Sequence, residues 1–155
     1  MLNRLETLRE KIDKLIMEKQ AENARHFTSH LYGVSEYCAL LAIRRGQNAE
    51  LAATAGMLHD IYQITHGTIE EHALKGAVVA KEILESMGAY TDEEIAKITE
   101  AISKHSKKRK KHGPFEELLK DADTMSHYLY NTAFPIVEKE VERLDAILAE
   151  LGVQK

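Results

Sequence analysis

Four of the eight histidines in this chain of 155 residues fall at the ends of apolar rows with helical spacing. His30 heads the row Val34, Tyr37 and Leu41, and His59 stands one turn after Ala55 and three residues before Tyr62. His72 heads Gly76, Val79, Ile83 and Met87, while His105 ends Ile95, Ile98 and Ile102. Four helices therefore aim one imidazole each toward the interior. A single inward histidine is ordinarily a core residue with one satisfied hydrogen bond. Four of them need polar partners, because a buried polar group left unpaired is costly. A shared divalent cation serves several at once, since neutral imidazole is a common metal ligand. Carboxylates stand beside this set: Asp60 follows His59, and Asp121 and Asp123 flank Ala122. Mixed His/Asp ligation without thiolate suits Mn²⁺, Fe²⁺, Co²⁺, Ni²⁺ or Zn²⁺, with Mg²⁺ as a further candidate. His26, His66, His112 and His127 lie outside these rows and read as solvated or incidental.

The elements that must position these groups are all helical. A first helix is expected at about 2–20, with Leu5, Leu8, Ile12 and Leu15 on one stripe. A second at about 24–45 stops at Gly46, and a third covers about 48–63. Thr68 with Glu71, and Thr91 with Glu94, fit capping boxes that open helices closing near Gly88 and near residue 105. Gly113-Pro114 starts a sixth helix, because proline is well tolerated at the first helical position. A last helix begins near Pro135, and residues 126–134 are left as helix or connection. The expectation is one all-α domain over 1–155, a bundle of about six to seven helices with its core at about 24–130. The first and last helices have narrow apolar stripes, which pack on the domain in the commoner case or on a second copy in a homodimer.

Composition narrows the function. A net charge of −4 argues against general nucleic-acid binding. Cys38 is the only cysteine, which fits a reducing compartment. The N-terminal segment is charged throughout, unlike a signal peptide, and no uncharged apolar run approaches the roughly 18–20 residues that cross a bilayer. The chain reads as cytoplasmic. Residues 104–111 hold six Lys or Arg, a run that reads first as a solvated loop and second as a basic lip for an anion. Tyr128, Tyr130 and Phe134 read first as core, with contact to a base as the alternative.

The segments HLYGVSEYCALLA, ATAGMLHDIYQ, EEHALKGAVVAKEIL, EAISKHS and LLKDADTM, taken in order, resemble the HD superfamily of metal-dependent phosphohydrolases over roughly 27–130. The resemblance implies an HD-type helical fold in which His30, His59, Asp60 and Asp123 hold a first metal ion. His72 and His105 match the two extra histidines that help bind a second ion across a bridging Asp60. Having both makes the chain similar to the YqeK-type branch, which splits dinucleoside polyphosphates symmetrically. Asp123 is preferred over Asp121 because the family's last ligand follows an alanine, here Ala122. Ile61-Tyr62-Gln63 departs from the small residue and lysine that follow His-Asp in many members.

Such a site hydrolyses phosphate esters, because a divalent cation lowers the pKa of bound water and relieves charge on the phosphoryl oxygens. Asp60, His72 and His105 are the expected catalytic groups, with His72 or His105 as proton donor if one ion binds. Lys75, one turn after His72, is expected to add positive charge. The expected substrate is a small phosphate ester such as a nucleotide. The competing readings are a non-catalytic metal-bearing module that binds a nucleotide or protein in signalling, and an oxygen-activating di-iron oxidase.

Overall fold

The computed structural model describes residues 3–155, and among them the secondary structure is helical without strands. Eight α-helices are described, joined by one short 3-10 turn at Ala21–Asn23. The all-α expectation holds. Helix α1 spans Arg4–Lys19, and its Asn3 cap accepts from the amides of Leu5 and Glu6. The expected beginning at Leu2 lies outside the described residues. Leu8, Ile12 and Ile16 form its buried stripe and pack toward α2 (Ala24–Arg44), α3 (Ala49–Leu58) and α4 (Ile61–His66).

The expected helix at 48–63 is divided in two. His59 and Asp60 separate α3 from α4, with Asp60 at φ −109°, ψ 19°. Successive residues of an unbroken helix point about 100° apart, so both could not aim at one spot. The break lets them do so. Helix α3 is buried from Leu51 through Leu58 and runs against α2. A Cβ at Gly56 would lie 2.7 Å from the Cα of Ser35, so this contact admits glycine and nothing larger without shifting a helix.

Helix α5 (His72–Met87) opens differently from the expected capping box. Thr68 Oγ1 accepts instead from the Glu70 amide (3.2 Å), and Glu71 takes φ +51°, an uncommon left-handed setting for a side-chain-bearing residue. The turn is held by His72, whose amide and Nδ1 both reach the Ile69 carbonyl (3.2 and 2.9 Å). Helix α6 (Asp92–Lys104) has the expected Thr91/Glu94 capping box, and α7 (Pro114–Tyr130) starts at Pro114 as anticipated. Residues 126–130 complete α7, and α8 (Glu138–Leu151) begins three residues later than Pro135. The connection at 131–137 leaves Phe134 60% exposed and Tyr130 57% exposed, so neither is core.

Helix α7 lies against α2, α3, α6 and α8. Arg45, just past the end of α2, and Arg143 of α8 clamp the two oxygens of Asp121 at 2.7 Å each, and Arg45 also holds Glu150. Among the described residues no helix is long and apolar enough to cross a membrane.

Candidate metal centre

The six residues expected at the centre converge. His30 Nε2 and His59 Nε2 are 3.1 Å apart; His30 Nε2 is 3.3 Å from both Asp60 Oδ2 and Asp123 Oδ1. His59 Nε2 lies 3.2 Å from Asp60 Oδ2 and 3.5 Å from Asp123 Oδ1. On the other side of Asp60, its Oδ1 is 3.5 Å from His72 Nε2 and 3.4 Å from His105 Nε2, which are themselves 3.2 Å apart. One carboxylate thus divides its oxygens between two histidine pairs.

The far side of each ring fixes its tautomer. The Nδ1 atoms of His59, His72 and His105 face the carbonyls of Gly56, Ile69 and Ile102 at 2.7–2.9 Å. Carbonyls only accept, so Nδ1 donates and Nε2 turns its lone pair inward. His30 Nδ1 meets Ser126 Oγ at 3.2 Å. Two pairs of such nitrogens facing one another make poor neighbours without a positive charge between them.

Asp123 Oδ1 is buried and has no hydrogen-bond partner, although three imidazole Nε2 atoms lie within 3.5 Å. An orphaned carboxylate oxygen among inward lone pairs fits a cation. The separations of 3.1–3.5 Å fit too. Donors at about 2.1 Å from an ion, in octahedral or tetrahedral arrangement, stand about 3.0–3.4 Å apart. The donor set is nitrogen and carboxylate oxygen, suited to a first-row divalent ion.

Electrostatics favour positive charge here. Burial pushes the His59 imidazolium down, but Asp60 and Asp123 outweigh it and lift its pKa to about 10. Without an ion Nε2 therefore holds a proton, which a bound cation would displace to reach the lone pair. Burial likewise opposes ionisation of Asp60 and Asp123, yet His59 beside the first and Lys108 beside the second hold both well below the usual carboxylate range. His105, with burial as the main influence, is pushed down.

Three residues at the centre escaped the sequence reading. Lys108 belongs to the basic run, yet it is 6% exposed, and its Nζ donates to Asp123 Oδ2 (2.6 Å) and the Lys120 carbonyl (3.2 Å). It also lies 3.3 Å from Glu140 Oε1, a buried acid on α8. His127, read as incidental, stacks on His30 and places Nε2 3.3 Å from Asp123 Oδ1, while its Nδ1 meets both Glu140 oxygens at 3.0–3.1 Å. A signal was available for His127, which stands one helical turn after Asp123. The basic loop is also tied down by Lys120, whose Nζ donates to the Lys110 carbonyl, and by Arg143, which donates to the Lys108 carbonyl.

Lys75 is the expected residue that the structure does not bring to the centre. Its Nζ sits 3.3 Å from Glu71 and over the Tyr62 ring at 5.6 Å, because a helical lysine leans back toward the preceding turn. Asp121 is occupied by its two arginines, and His26 and His66 are exposed. Beside the centre opens a cavity of about 400 Å³. Its lining includes Asp60, His72, His105 and Asp123 of the centre together with Phe134, Pro135 and Val137 of the connection to α8.

The HD domain family matches residues 27–150 of this chain. Ribonuclease Y of Pelobacter propionicus is 29% identical over 86% of this chain and 25% of its own length. Ribonuclease Y of Geotalea uraniireducens is 31% identical over 75% of this chain and 21% of its own. The chain therefore spans a quarter or less of these curated relatives. A crystal structure of a predicted HD superfamily hydrolase from an uncultured Thermotogales bacterium shares the fold. It superposes with a TM-score of 0.64 at 22% identity, covering 97% of this chain and 95% of that one.

Proposed function

The chain belongs to the HD domain family, and on that premise we propose that it is a metal-dependent phosphohydrolase acting on a nucleotide or related phosphoester. The observation that carries the reading is the division of Asp60, with Oδ2 among His30 and His59 and Oδ1 among His72 and His105. His30, His59, Asp60 and Asp123 would hold one ion, and Asp60, His72 and His105 a second. A divalent cation bound there supplies a nucleophile from water at neutral pH and draws charge from the phosphoryl oxygens.

The remaining work falls to the protein. Backbone carbonyls keep three imidazoles in one tautomer, so no donor atom must reorient when substrate arrives. Lys108 occupies Asp123 Oδ2 and leaves Oδ1 for the centre. Where a single ion binds at His30, His59, Asp60 and Asp123, His72, with 21% of its side chain exposed against 2% for His105, is the better placed of the free pair to exchange a proton with a departing group.

The complete donor set supports catalysis over the binding-module reading, since loss of a ligand is the simplest route to a non-catalytic module. The test is a hydrolysis screen of metal-analysed protein loaded with Mn²⁺, Fe²⁺ or Co²⁺. It covers nucleoside mono- and triphosphates, cyclic nucleotides, dinucleoside polyphosphates and a short RNA. Turnover of at least one ester, abolished in His59→Ala, is the expected result. Equal turnover by His59→Ala and wild type would end the proposal.

A further inference from the structure

The cavity beside the centre is lined by two unlike sets of residues. One is the charged set of the centre itself, extended by Lys108 and His127. The other is built from Tyr128 at the end of α7 and from the connection to α8, chiefly Phe134, Pro135, Ile136 and Val137. Phe134 and Val137 are 60% and 54% exposed, and a turn closed by the Phe134 amide on the Asn131 carbonyl (3.0 Å) helps shape the segment that carries them. An exposed phenylalanine loses by remaining in water, and here its neighbours in the cavity wall are apolar too. The arrangement asks for a ligand with an anionic end and a flat apolar end.

We propose that the 131–137 connection is the specificity wall of this site and that Phe134 stacks on the base of a single nucleoside phosphomonoester. The proposal rests on the phosphohydrolase reading and adds to it the class of ester taken. The phosphate faces the cations that Asp60, His72 and Asp123 would hold, and the ring lies against Phe134 and Pro135. Size argues for one nucleoside. About 400 Å³ is near the lower end of the roughly 300–1,000 Å³ of small-molecule sites, so the second nucleoside of a dinucleoside polyphosphate would lie outside it.

The experiment compares adenosine 5′-monophosphate, ribose 5-phosphate and diadenosine tetraphosphate on Mn²⁺-loaded full-length chain, as wild type, Phe134→Ala and Phe134→Trp. Stacking of a base on an aromatic ring is worth about 1–3 kcal/mol, or roughly 5- to 150-fold. The wild-type KM for the nucleotide should lie at least about tenfold below that for ribose 5-phosphate. Phe134→Ala should raise the nucleotide KM about tenfold with kcat within about twofold, leave ribose 5-phosphate unchanged, and be rescued by Phe134→Trp. Equal KM for the two monoesters, equal effects of Phe134→Ala on both, or preference for the tetraphosphate would overturn the assignment while leaving hydrolysis intact. If no ester is turned over, calorimetric binding of adenosine 5′-monophosphate decides. Binding lost in Phe134→Ala keeps the wall and removes the hydrolase reading, and absence of binding to wild type removes the wall as well.

Discussion

Replacing Lys108 by methionine removes the ammonium shared by two buried carboxylates. Its Nζ lies 2.6 Å from Asp123 Oδ2 and 3.3 Å from Glu140 Oε1, and those acids are 4% and 2% exposed. At an effective dielectric near 20 the two attractions amount to about 6 and about 5 kcal/mol. Desolvation of three charges offsets most of that in the native protein. What the substitution uncovers is the uncompensated remainder, about 3–5 kcal/mol when a buried ion pair loses one partner. Methionine keeps most of the side-chain volume, so little of the effect is cavity. For a chain of this length the expected fall in Tm is about 6–20 °C, read by scanning calorimetry in the presence of a chelator. A divalent cation at Asp123 replaces part of the missing charge. Saturating Mn²⁺ should therefore raise the Tm of Lys108→Met more than that of wild type. A fall below about 2 °C, or equal gains from Mn²⁺ in both proteins, would refute the reasoning.

Two further outcomes follow from the packing and the charges. Gly56→Ala should lower stability by about 1–3 kcal/mol in denaturant titrations, because the new methyl meets the Ser35 backbone at 2.7–2.8 Å; it should also cost activity, since the Gly56 carbonyl orients His59. Burial pushes the Glu117 carboxyl up, but Lys120, the His112 amide and Arg143 outweigh it and hold its pKa at about 2, below the ordinary 4.5. Its stabilisation is present above about 4.5 and is lost as pH falls toward about 2, so Glu117→Gln should flatten that part of the acid-unfolding curve and leave its neutral part the same shape.

The centre was legible in the sequence where side-chain type and helical period agreed. His30, His72 and His105 extend apolar rows, and a row that faces the core on a helix fixes the direction of its end residue. His59-Asp60 was legible as a pair, but the break that lets both point inward was not, because residues 48–63 carry one helical pattern throughout. Lys108 is indistinguishable by type from its neighbours in the run 104–111; only the fold of the loop over α7 selects it for burial. Glu140 lies 17 residues from Asp123 on a different helix and stands in the sequence among the acids Glu138, Glu142 and Asp145, which are exposed, so nothing local marks it. Lys75 was misplaced because spacing fixes a helical face without fixing where a long side chain ends. The capping box at Thr68 failed where a non-glycine left-handed residue, Glu71, was needed to swing His72 into place.

The position of Glu140 on α8 bears on how the protein can be shortened or grafted. A fragment ended at residue 130 would retain every side chain that faces the candidate ions, from His30 through Asp123, and would look complete by motif. It would lose the acid that holds His127 and shares Lys108, together with Arg143, which braces Asp121 and the Lys108 carbonyl. Asp123 would then be left with a lysine no longer anchored from behind. The smallest transplantable unit therefore extends through the final helix, well past the last residue of the recognisable motif.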